Sequence, residues 1–194
     1  MLALPPAPAP ARPRMMLVAT ALVAMAASVL IGSMLALYVH LRDVAGGSTA
    51  RWVPKGVQIS AVTANMLLST VVIAALCGQI AAYTMRRDNR SDSYLFLGAA
   101  GFFGLAAVNA QAYMWKYSKI KMLDGGYATI TFVITGVLVA LLLAGVVFTV
   151  LVAFRAVGGR YSSKDSEGIA AVALYWHFCA VATAAVWYVI YVVK

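Results

Sequence analysis

Apolar residues in this chain neither alternate nor fall into narrow stripes; they run. Five stretches, Met15 to Leu41, Val57 to Met85, Ser93 to Trp115, Tyr127 to Phe154 and Gly168 to Val193, hold no Asp, Glu, Lys or Arg. Each exceeds the roughly 20 residues that a helix needs to cross about 30 Å of hydrocarbon. The absence of a two-residue period excludes a transmembrane barrel. Backbone groups in lipid must be paired within their own segment, so the pattern predicts an all-α, polytopic membrane protein built as a bundle of five transmembrane helices. The breaks are short and carry turn residues: Arg42 to Gly56 with Gly46, Gly47 and Pro54, Arg86 to Asp92, Lys116 to Gly126, and Arg155 to Glu167 with Gly158 and Gly159. No loop is large enough for an extramembrane domain, so function must live in the bundle or on its surface.

Residues 1–14 read differently. They contain five of the six prolines, which favours an extended, polyproline-like tail ahead of a transmembrane domain over 15–194. A signal peptide is the competing account, but an h-region runs about 7 to 15 residues and Met15 to Leu41 is much longer.

Composition agrees with the pattern. Hydrophobic residues make up 63% of the chain and charged residues 11%, against about 25% charged in a soluble domain. The net charge of +9 would suggest nucleic acid only if Arg and Lys formed a stripe interleaved with aromatics, and they do not. The charges sit in the tail and loops, where anionic headgroups meet them. The tail with the second and fourth breaks holds eight Lys and Arg, and the remainder holds seven. That small bias leans toward a cytoplasmic N-terminus.

The spans hold little that could do chemistry. All six acids (Asp43, Asp88, Asp92, Asp124, Asp165 and Glu167) lie in breaks, which argues against a carboxylate proton relay. Cys77 and Cys179 are far apart without metal-ligand spacing and read as buried small hydrophobes. His40 closes the first span and His177 lies about a third of the way into the fifth. For His177 the expected role is a hydrogen bond to a neighbouring helix, with a subunit or lipid contact and metal or proton transfer as alternatives. Asn65, Ser69, Thr70, Gln79, Asn109, Gln111, Thr131 and Thr135 are expected to bond between helices. Gly98, Gly101 and Gly104 recur every third residue and predict a strip open to close helix approach. Aromatics such as Trp52, Tyr113, Trp115 and Trp187 sit near span ends, as interfacial belts do.

Four segments carry a family resemblance. Leu174-Tyr175-Trp176-His177-Phe178 looks like the YWHF signature of subunit III of the haem-copper (cytochrome c) oxidases. Asn65 to Thr70 (NMLLST) resembles that family's stretch ending in Ser-Ser, Ala110-Gln111-Ala112-Tyr113 its Gly-Gln-Ala-Tyr segment, and Thr135-Gly136 with Gly145 its Thr-Gly-Phe-His-Gly-Leu-His helix. In this order they cover about residues 15–194 and resemble the five-helix bacterial form, in divergent condition. The family's embedded Glu has no counterpart between Met25 and Gly32, its paired histidines align with Leu138 and Leu141, and its Val-Asp after YWHF is Cys179-Ala180 here.

The resemblance implies a non-catalytic accessory subunit of a respiratory terminal oxidase in a bacterial inner membrane. Such a subunit is one member of a membrane-embedded hetero-oligomer. It has no cofactor of its own, haem and copper residing in partner subunits I and II. It packs against subunit I, binds phospholipid, and supports assembly, stability and proton pumping. Tyr175, Trp176, His177, Phe178, Asn65, Gln111 and Tyr113 are the expected subunit or lipid contacts. A small transporter or channel, or a similar accessory of nitric oxide reductase or another respiratory complex, are the alternatives; a nucleic-acid partner is not expected.

Overall fold

The structure is a computed structural model that describes residues 14–46, 52–54, 57, 61–118, 125–163 and 165–193. The Pro-rich tail before residue 14 lies outside the described residues. Five helices are present among them: α1 (Met15–Gly46), α2 (Ala61–Arg86), α3 (Arg90–Ser118), α4 (Gly126–Val157) and α5 (Glu167–Trp187). The chain continues from α5 in a π-helical turn over Tyr188–Val193. All five helices are long and apolar enough to cross a membrane, and the protein is an integral membrane protein.

α2 and α3 form the tightest pair, and the sequence between them explains the sharp reversal. Asp88 adopts a positive φ of 60° just past the end of α2, where the amides of Arg87 and Asn89 return to the Thr84 carbonyl, a left-handed helix stop that Asp tolerates better than most residues. Asn89 then caps α3, its Oδ1 accepting from the Asp92 amide at 3.3 Å and its Nδ2 donating to the Asp92 carboxylate at 2.6 Å. Both helices carry small buried residues: Ala74, Ala75, Gly78, Ala81 and Ala82 on α2, Ala100, Gly104 and Ala107 on α3. Without a hydrophobic force between helices in lipid, close approach of small residues supplies the packing. The Ser93 hydroxyl adds a bond across to the Ala81 carbonyl at 2.9 Å.

α5 is the hub. It packs against α2, α4 and α1, while α3 joins α2 to α4 on the far side. At Gly78 a Cβ would approach the Ala173 Cα at 3.3 Å, so α2 and α5 nearly touch backbones there. α1 lies outside this four-helix block and presents one buried stripe, Ala27, Ile31, Leu35 and Tyr38. Its N-terminus is fastened by an acid from another helix. The Glu167 carboxylate, in the first turn of α5, accepts from the amides of Met16 at 2.7 Å and Leu17 at 3.0 Å, satisfying two of the donors that a helix start leaves open.

The three glycines of α3 do not form one strip. Steps of three residues fall behind the helical period by about 60° each, so Gly98 is exposed, Gly101 half-buried and Gly104 buried. Only Gly104 is a close-approach site: a Cβ there would overlap the Trp176 ring, whereas one on Gly98 would meet nothing within 4 Å.

Candidate subunit and lipid contact site

The four residues of the YWHF segment are separated by 100° steps of the helix, and the structure sends them to different surroundings. Trp176 points inward and is fully buried. Its indole Nε1 donates to the Thr149 hydroxyl on α4 at 2.8 Å, and that hydroxyl donates to the Gly145 carbonyl at 2.7 Å. Gly104 on α3 leaves room for the ring edge. Tyr175 is buried beside it, its hydroxyl donating to the Leu141 carbonyl at 2.9 Å across a gap that Gly145 keeps open. Phe178 is half-buried and meets Tyr175 edge to face at 5.9 Å. Three helices are thus locked at one junction by an indole, a phenol and two glycines.

The same device recurs about four turns away on α4: Trp115 of α3 donates to the Thr135 hydroxyl at 2.9 Å, and Thr135 donates to the Thr131 carbonyl at 2.7 Å. In each case the threonine returns its proton to its own helix and offers its lone pairs to an indole from a neighbour.

His177 points outward and is exposed. Its Nδ1 lies 2.8 Å from the Ala173 carbonyl of its own helix, not from a neighbouring helix as expected. An imidazole beside a carbonyl four residues back is satisfied locally before any other helix comes within reach. Because a carbonyl only accepts, Nδ1 carries the proton of that bond. His177 lines a groove of about 270 Å³ with Leu17 of α1, Gln79, Ala82 and Arg86 of α2, and Ala170, Ala173 and Leu174 of α5. Apolar walls with a guanidinium at the α2 end suit a chain with an anionic head. The sequence pattern does not single out Gln79 and Arg86 as partners of His177, since nothing local signals a groove shared by residues about ninety positions apart in the chain.

The other expected contacts are scattered. Asn65 is exposed, and its Oδ1 accepts from the Trp187 indole at 2.9 Å. Tyr113 is exposed and stacks on Tyr117 at 6.1 Å. Gln111 is 1% exposed and lies inside the bundle. Cys77 and Cys179 are both buried free thiols. Among the described residues no three His, Cys, Asp or Glu side chains gather as metal ligands, and His40 lies on another helix, α1, from His177. These residues do not fit a haem or copper site.

The sequence pattern described as cytochrome c oxidase subunit III matches residues 44–194, which take in all of α2 to α5. The chain belongs to the cytochrome c oxidase subunit III family. Relatives of this subunit III family member include the "Probable cytochrome c oxidase subunit 3" of Rickettsia bellii, 30% identical over 100 residues that make up 50% of this chain and 36% of the relative. The protein of the same name from Rickettsia conorii is 29% identical over 100 residues, 50% of this chain and 35% of the relative. The "Cytochrome c oxidase subunit 3" of Branchiostoma lanceolatum is 28% identical over 143 residues, 73% of this chain and 53% of the relative. The chain therefore spans between about a third and about a half of the length of these relatives. The resemblance read over about 15–194 is matched over 44–194, and nearly all of α1 lies ahead of it.

Proposed function

We propose that this chain is the non-catalytic accessory subunit of a respiratory terminal oxidase, seated in the membrane beside the catalytic subunit I, with haem and copper held by partner subunits I and II. The observation that carries the reading is the family match over the whole α2 to α5 block. The geometry supports it. The polar side chains of the YWHF segment that point inward are used up in helix packing, and what faces outward is apolar surface and a groove. Such a body contributes shape, lipid contact and stability to an assembly that reduces oxygen and pumps protons. His177, Asn65 and Tyr113 are its outward contacts to subunits or lipid, and Phe178 adds a partly exposed edge. Tyr175, Trp176 and Gln111 set the shape from within. The groove beside His177 and Arg86 takes a phospholipid, its chains along Ala173 and Leu174 and its head toward Arg86. The location is a bacterial inner membrane with the N-terminus cytoplasmic, in line with the slight excess of Lys and Arg on that side.

The test is to purify the tagged chain from native membranes in mild detergent. A haem-bearing partner should travel with it, oxygen reduction should accompany the peak, and the chain alone should show no haem absorbance. Recovery as a stable monomer free of oxidase subunits would sink the reading.

A further inference from the structure

Where α1, α3 and α5 end and α4 begins, polar side chains converge from four helices and the segment between α1 and α2. The Tyr38 hydroxyl, the Trp52 indole N–H, both carboxamide atoms of Gln111 and the Thr131 hydroxyl are all buried without a hydrogen bond of good geometry among the described residues, with Tyr38 and Trp52, Tyr127 and Thr131, and Tyr191 and Gln111 left as loose pairs. Tyr38 is 0% and Gln111 1% exposed. They are neighbours. The rings of Tyr38, Trp52 and Tyr127 pack mutually, with centroids 5.6 to 6.4 Å apart. Tyr191 pairs loosely with Gln111 within electrostatic range of Tyr127 and Tyr38, and Tyr127 pairs loosely with Thr131.

A buried donor or acceptor that stays unpaired gives up its hydration for nothing, and native proteins rarely leave one, let alone five in one place. The mixture of roles selects the occupant. Trp52 Nε1 and Gln111 Nε2 only donate, Gln111 Oε1 only accepts, and the hydroxyls do both. An ion would ask for donors alone or acceptors alone. A water molecule accepts from some directions and donates in others, and a buried one makes about three such bonds. Depth agrees, because Gln111 lies only roughly 10 Å inside the end of α3 at a rise of 1.5 Å per residue, close to the aqueous phase.

We propose that this cluster is an internal hydration site, which holds ordered water between Gln111, Tyr191, Tyr38, Trp52 and Thr131 and so links α1 to the rest of the bundle. The test uses the full chain in bilayers of deuterated lipid with its Gln and Trp side chains labelled with nitrogen-15, and measures polarisation transfer from water protons to each side-chain N–H by solid-state NMR. The Trp176 indole, fully buried and bonded to Thr149, is the dry reference in the same sample. Transfer to the Gln111 carboxamide should be several-fold faster than to Trp176. Transfer no faster than to Trp176 would mean a dry cluster of directly paired side chains and would overturn the proposal. Gln111→Leu assigns the signal by its loss, and sequential backbone assignment does so where that variant fails to fold, so the wild-type measurement decides in either case.

Discussion

α1 and α5 run in the same direction, each spans the membrane, and the Glu167 carboxylate holds their N-termini together. By hydropathy α1 is the more apolar, at 2.3 against 1.8, yet 6% of its most apolar window is buried inside the protein against 56% of that of α5. In water the order would be reversed, because apolar surface drives its own burial. In a bilayer the tails are as apolar as Leu, and what earns a central place is the capacity to pack closely and to close hydrogen bonds between helices. α5 has Ala173 against Gly78, Trp176 against Gly104 and Thr149, and Tyr175 against Gly145. α1 has large side chains such as Leu22, Val29 and Leu30 facing outward. The family match divides the molecule along the same line, taking in α5 and omitting nearly all of α1.

The contrast can be broken most directly at its centre. Trp176→Ala removes a fully buried ring and should cost about 3–5 kcal/mol, read as a large fall in thermal unfolding temperature followed by circular dichroism; an unchanged melt would mean that α5 is not the hub. Gly104→Ala drives a methyl group into the same ring and should cost about 1–3 kcal/mol through overpacking. Size-exclusion profiles after mild heating should show it aggregating ahead of the wild type. Glu167→Ala strips the acceptor from the Met16 and Leu17 amides, a loss of about 0.5–2 kcal/mol on the scale of helix caps. Its signature is local: faster amide hydrogen exchange in the first turn of α1, with α2 to α5 as protected as before. Equal acceleration throughout would erase the distinction between the two regions. Gly98→Ala adds a methyl group that meets nothing within 4 Å and should be neutral or stabilise α3 by up to about 1 kcal/mol through helix propensity, so a destabilised Gly98→Ala would revive the reading of a continuous glycine strip.

How far the site could be read in advance depended on the range of each interaction. The YWHF segment stood out because its residues are adjacent in sequence, and it led to the family. Its division into an inward Trp176 and an outward His177 follows from helical geometry once the direction of the core is known, which the sequence does not state. Nearly featureless hydrophobicity around α5 gives no preferred face. Gly98, Gly101 and Gly104 share no face because each three-residue step turns about 60° short of a full helical circuit. In the sequence Glu167 reads as one of six loop acids, and only the structure puts it in the first turn of α5, close enough to α1 to cap that helix.

Composition and uninterrupted apolar length determined by themselves that this chain crosses a membrane in five helices, since no other arrangement pairs the backbone in lipid. Motif order further determined its family. Tertiary structure alone decided which helix is central, at which of three glycines a side chain would collide, and where polar side chains are satisfied or left to seek a partner. Those outcomes turn on ångström-scale approach between residues far apart in the chain, and an apolar sequence in an apolar solvent holds no periodic record of them.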